Sequence, residues 1–162
     1  MFTFPHPVNE HAARLVAGLV AILTLSIIMF DLNWLMYLLA YGFLARVLTG
    51  PTLSPIGLFV TRVLIPMLGN PSKPVAGPPK KFAQSVGLVF SVTAILLHYI
   101  LGLPQFATIT LSILTLFALL ESILGFCAGC FVFGNMMRLG LIPQEICERC
   151  NNLVTQKRDS PV

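Results

Sequence analysis

The sequence predicts an all-α integral membrane protein with four transmembrane helices and one short interfacial helix. Three observations carry that prediction. Of the 162 residues, 56% are hydrophobic and only 10% charged, and the mean hydropathy is +0.87. A soluble domain carries about 25% charged residues, and a disordered chain leaves far less apolar surface in water. Four apolar stretches reach, or nearly reach, the roughly 20 helical residues that cross a hydrocarbon core. The basic residues are also segregated along the chain in the way a topogenic signal requires. The length suits one compact membrane domain, 1–162, with no room for a sizeable soluble domain beside it.

The first span is expected at about 12–30. No small-residue cleavage site and polar region follow it, so it reads as a retained span rather than a leader. The second is expected at about 32–48. One unbroken helix over both would run about 55 Å at 1.5 Å per residue, too long for a single crossing. Asp31-Leu32-Asn33 therefore reads as a tight turn, since Asp and Asn are turn formers. Next, Ser54 is a candidate N-cap with Pro55 at the first helical position. The apolar run that follows is interrupted by Thr61 and Arg62, so an interfacial helix is expected at about 54–68. Prolines 66, 71, 74, 78 and 79 mark a stiff linker, 69–81, without helical continuity. The third and fourth spans are expected at about 82–101 and 106–126, the latter with a possible continuation to 133. Gly102-Leu103-Pro104 turns the chain between them, and a Cys-containing tail covers 127–162.

All ten Lys and Arg residues fall outside the two short turns. Arg46, Arg62, Lys73, Lys80 and Lys81 lie between the second and third spans, and Arg14, Arg138, Arg149, Lys157 and Arg158 lie in the terminal flanks. With four spans, every cation falls on one side, and the positive-inside rule makes that side cytoplasmic. The net charge of +4 is then a topogenic and lipid-headgroup signal. No basic stripe interleaved with aromatics points to nucleic acid.

The most chemically pointed residues are the four cysteines, which form two Cys-x-x-Cys pairs, Cys127/Cys130 and Cys147/Cys150. The first pair is expected at the cytoplasmic end of the fourth helix, where positions i and i+3 share one face. Ala128 and Gly129 between them would leave the thiols open. The full spacing, C-x2-C-x16-C-x2-C, also suits one four-thiolate metal site. Three readings stay open: redox or sulfur-handling thiols, a structural zinc or iron–sulfur site, and small buried side chains with incidental thiols. A permanent disulfide is disfavoured in a reducing cytoplasm.

Ionisable residues within spans are rare and costly. Glu121 is expected to pair with Arg46 at the matching depth of the second helix, a simpler role than proton relay. By helical angle it points away from Cys127 and Cys130. His98 is expected as a hydrogen-bonded interfacial residue near the outer turn, with Asp31 as a candidate partner. Trp34, Tyr37, Tyr41 and Tyr99 read as interface aromatics. Gly18, Ser26, Ser112, Ser122 and Gly125 would permit close helix approach. Among standard catalytic patterns, the sequence carries no phosphate loop, Ser-His-Asp arrangement, paired catalytic carboxylates or HExxH.

At Asn33-Trp34-Leu35-Met36, in the run from Phe43 to Pro51, at Leu53-Ser54-Pro55, Lys80-Lys81-Phe82-Ala83-Gln84 and Gly125-Phe126-Cys127-Ala128-Gly129-Cys130, the chain resembles a bacterial membrane family. That family is catalogued only as a domain of unknown function, and Gly-Phe-Cys-x-Gly-Cys is its most specific element. The resemblance covers roughly 8–150. It implies about four spans in a bacterial inner membrane and an association with thioredoxin-like or rhodanese-like soluble proteins. The leading expectation is thus a membrane thiol/disulfide or sulfur-relay module, with Cys127 or Cys130 attacking, the other resolving, and Cys147 and Cys150 as a second pair. The alternatives are a non-catalytic protein whose four cysteines hold zinc or an iron–sulfur centre, and a small transporter or accessory subunit.

Overall fold

The computed structural model describes residues 8–71, 73–75 and 77–141. The architecture is helical apart from one two-residue antiparallel pairing, β1 (Val8–Asn9) with β2 (Pro74–Val75). Among the described residues, three helices are long and apolar enough to cross a membrane: α1 (Glu10–Phe30), α4 (Gly77–Ile100, ending in one π turn) and α5 (Pro104–Leu124). The expected second span is the shorter helix α2 (Leu35–Thr49), of 15 residues. At 1.5 Å per residue it covers about 22 Å, less than the roughly 30 Å of a hydrocarbon core.

Local chemistry sets the boundaries. Asn9 caps α1 by accepting the His11 N–H at 3.1 Å, and its side-chain amide donates to the Pro71 carbonyl at 2.8 Å. Asp31 ends α1 in the left-handed conformation (φ 52°), which Asp tolerates better than most residues, and Asn33 N–H donates back to the Asp31 carbonyl. The expected turn therefore sits on the expected residues. Ser54 caps the next helix by accepting the Gly57 N–H at 3.3 Å, with Pro55 in the first turn. That helix, α3 (Pro55–Met67), contains a π turn at Val60–Leu64 just before Pro66. Proline has no N–H and crowds the carbonyl four residues back, and the wider turn lets the helix continue through it.

Helix α4 starts at Gly77, inside the stretch expected to be linker. Pro78 and Pro79 occupy its first turn, where N–H groups have no intrahelical partner, so two prolines cost nothing there. The opposite surprise comes after α5. Gly125 adopts φ 68° and its N–H donates to the Glu121 carbonyl, a left-handed glycine cap, while the Phe126 N–H donates to the Leu120 carbonyl. The fourth helix therefore stops at Leu124, and a separate helix, α6 (Ala128–Arg138), begins after it.

Helices α1, α2, α4 and α5 form an antiparallel bundle. Arg14 at the start of α1 meets the end of α5, and Thr24 and Thr115 share a buried 2.7 Å hydrogen bond halfway along. Phe43 of α2 lies against Gly87 of α4, where any Cβ would come within 2.3 Å of the ring. Tyr37 and Tyr99 meet at 5.3 Å near the other end of that pair. Gly18 faces Ser122 closely, and Gly125 lies against the Glu10 and Arg14 side chains of α1 as well as serving as a cap, whereas half-buried Ser26 and exposed Ser112 hydrogen-bond to their own helices. Val20, Ile27, Leu39, Val60 and Leu111 fill the core. Large apolar side chains such as Ile22, Met29, Ile109, Leu116 and Ile123 cover the outside, a surface suited to lipid rather than water.

Candidate functional site

The polar end of the bundle gathers side chains from helices distant in sequence. Lys80, in the first turn of α4, donates to Glu121 near the end of α5 at 2.5 Å, and both are largely buried. The expected partner, Arg46, makes a different set of contacts. Its Nε donates to the Gly42 carbonyl at 2.9 Å, its guanidinium stands 4.5 Å over the Phe43 ring, and one terminal nitrogen has no hydrogen-bond partner. The antiparallel α4–α5 contact puts Lys80 against Glu121, a register that depends on the helix starting at Gly77, inside the stretch whose prolines predict a linker. Arg14 caps the end of α5 through the Ser122 and Ile123 carbonyls, and Glu10 pairs with Lys73 at 2.7 Å.

Cys127 and Cys130 do not sit on the end of a membrane helix. Cys127 is the N-cap of α6, in extended conformation, and its Sγ accepts the Cys130 N–H at 3.3 Å. The pair is thereby held at a helix N-terminus, where unpaired N–H groups favour negative charge. Both thiols are free and partly buried. A hydrogen bond from the Cys130 thiol, supported by the Cys130 backbone N–H, holds the Cys127 thiol below the ordinary range against burial and the Glu121 carboxylate, with help from Lys80. That thiol–thiol hydrogen bond, together with burial, pushes the Cys130 thiol far up. One thiol is thus set up to ionise and the other to keep its proton. Glu121, expected to point away, acts electrostatically on both thiols, and the chain turns at Gly125 between them.

Gly129 serves the fold rather than thiol access. A Cβ there would lie 2.5 Å from Ala83 Cβ, so the bare backbone of α6 rests on α4. Phe82 and Phe133 brace the crossing at 5.7 Å.

A cavity of about 390 Å³ opens between these elements. Arg46, Lys80, Gln84, Glu121 and Cys127 line its polar end, and Val20, Phe90, Leu114 and Phe117 line its apolar depth. Sequence reasoning missed Lys80, Gln84 and the cavity itself. The available signal was the pair of prolines before Lys80, which can open a helix as well as interrupt one.

Cys147 and Cys150 lie outside the described residues. Among the described residues no three His, Cys, Asp or Glu side chains cluster as metal ligands, so a four-thiolate site would have to draw on that second pair. His98 packs edge-on against Tyr99 at 4.7 Å, and no ion pair joins it to Asp31 among the described residues.

A family described as a domain of unknown function (DUF4395) matches residues 8–138, and the chain belongs to that family. No curated protein and no solved structure matches it.

Proposed function

We propose that this chain is a bacterial inner-membrane protein with four spans and cytoplasmic termini, and that Cys127 and Cys130 form its thiol/disulfide or sulfur-relay site. The observation that carries the reading is the Cys127 Sγ contact with the Cys130 N–H at the first turn of α6. It gives the two thiols unequal tasks, as dithiol exchange requires. Four spans are favoured over three because α2 packs along α4 from Tyr37–Tyr99 to Phe43–Gly87 and presents Tyr37, Tyr41, Leu44 and Leu48 outward. Residues of its flanking turns make up the missing length. The positive-inside rule turns the Arg14, Arg46, Lys73 and Lys80 end toward the cytoplasm.

With an oxidised thioredoxin-like partner, the Cys127 thiolate attacks one sulfur of the partner's disulfide. A mixed disulfide forms and the partner's other sulfur leaves as thiolate. Cys130 then gives up its proton and attacks Cys127 Sγ, closing the Cys127–Cys130 disulfide and expelling the second partner thiolate. The partner gains two electrons, and the chain loses two. With a persulfide-carrying, rhodanese-like partner, the Cys127 thiolate attacks the outer sulfur, the partner's S–S bond breaks, its cysteine leaves as thiolate, and Cys127 becomes a persulfide. Cys130 attack then forms the disulfide and releases hydrosulfide. Cys147 and Cys150 are a second relay pair in this reading.

Cys127→Ser in the full chain should abolish exchange with thioredoxin and persulfide donors. Exchange as fast as wild type would overturn the proposal. The C-x2-C-x16-C-x2-C spacing supports the rival metal reading, in which purified protein holds about one zinc per chain and its thiols become titratable only after chelation.

A further inference from the structure

Two buried side-chain atoms among the described residues lack a hydrogen-bond partner, Arg46 Nη2 and Gln84 Oε1, and both residues line the same cavity. Arg46 is only 4% exposed. The nearby carboxylate of Glu121 is committed to Lys80 at 2.5 Å, so with Cys127 in its thiol form the polar end of the cavity carries one cation in excess. An uncompensated buried charge is costly, and buried polar atoms without partners are rare in native proteins. One orphan is a cationic donor and the other an acceptor, which together describe the head of an occupant. Beyond them the walls are apolar, from Phe43 and Phe90 to Val20, Leu114 and Phe117 halfway along the bundle. A volume of about 390 Å³ falls within the range of small-molecule sites.

We propose that the cavity binds an anionic amphiphile whose head gives an anionic oxygen to Arg46 and an O–H or N–H to Gln84, with its apolar body between α1, α4 and α5. Either an anionic lipid or a free anion could supply the head chemistry. The apolar depth of the cavity favours the source that brings a chain with it. Cys127 lines the same cavity, so an occupant shields its thiol whether or not that thiol reacts in the cell.

The test uses the full chain in phosphatidylcholine nanodiscs, following maleimide labelling of Cys127 by peptide mass spectrometry. Dodecyl phosphate should slow labelling saturably, while dodecanol and inorganic phosphate at equal concentration should not. Arg46→Gln should raise the half-protecting concentration of dodecyl phosphate roughly tenfold, the loss expected of one charge-assisted hydrogen bond, and Arg46→Lys should recover much of it. Equal protection by dodecanol would leave an apolar cavity without an anion site and overturn the proposal. Equal protection by inorganic phosphate would assign the site to a free anion and overturn it as well. Both comparisons use wild-type protein, so they decide the matter even if Arg46→Gln does not fold. Loss of thiol exchange in Cys127→Ser bears only on the relay, whereas the probe comparison bears only on the cavity.

Discussion

At the residue scale, the decisive contacts are those that assign a partner to each buried charge. Glu121 and Arg46 lie at matching depths on their helices, and depth alone suggested that they pair. Lateral register decides instead, because α4 lies beside α5 and delivers Lys80 to Glu121. Breaking this pair from one side strands a buried charge. Glu121→Gln should therefore lower stability by about 3 kcal/mol, and the double variant Lys80→Met/Glu121→Leu should recover most of it, as read by thermal unfolding in detergent. The unequal thiols give a second prediction. With its pKa lowered, Cys127 becomes thiolate at a lower pH than it does in the unfolded chain. Its alkylation rate should rise to a plateau with a midpoint below that of the same cysteine in denatured protein. Cys130, shifted the opposite way, should stay unreactive through the same range until Cys127 is blocked or replaced.

At the element scale, capping residues were legible and helix continuity was not. Ser54-Pro55 and Asp31-Leu32-Asn33 announce a start and a stop through side chains with specific backbone partners, and both stand where the sequence put them. Gly125 gave no comparable signal, since a glycine within an apolar run serves equally as a close-packing residue or a left-handed cap. Only the backbone reveals the cap, through φ 68° and the bonds to Glu121 and Leu120. The consequence is large, because that single residue turns Cys127 from a helix-surface position into an N-cap. Gly125→Ala should cost about 1–2 kcal/mol from left-handed strain. It should also raise the Cys127 midpoint as α5 and α6 tend to join. Gly129→Ala should be more damaging, because its Cβ meets the Cβ and backbone of Ala83. The check is loss of both thermal stability and the Cys127–Cys130 reactivity difference, with Ala83→Gly as a partial rescue.

At the scale of the whole molecule, composition made the apolar helical class plain, and charge segregation matches the ends of the bundle. Arg14, Arg46, Lys73 and Lys80 gather at one end, with Tyr37 and Tyr99 at the other. The cavity was not legible at all. It forms where six helices meet, and no periodicity in one segment encodes a space bounded by several. The four-span topology predicts that Asn33→Cys and Gly102→Cys label only from the outer side, and Lys73→Cys only from the cytoplasm. Labelling of positions 33 and 73 from one side would mean that α2 does not cross. The central claim, that Cys127 attacks and Cys130 resolves, is tested most directly by trapping. Full-length Cys130→Ser mixed with an oxidised thioredoxin-like protein should accumulate a mixed disulfide through Cys127, while Cys127→Ser should accumulate none. Absence of any mixed disulfide in Cys130→Ser, or equal trapping in both variants, would contradict the account.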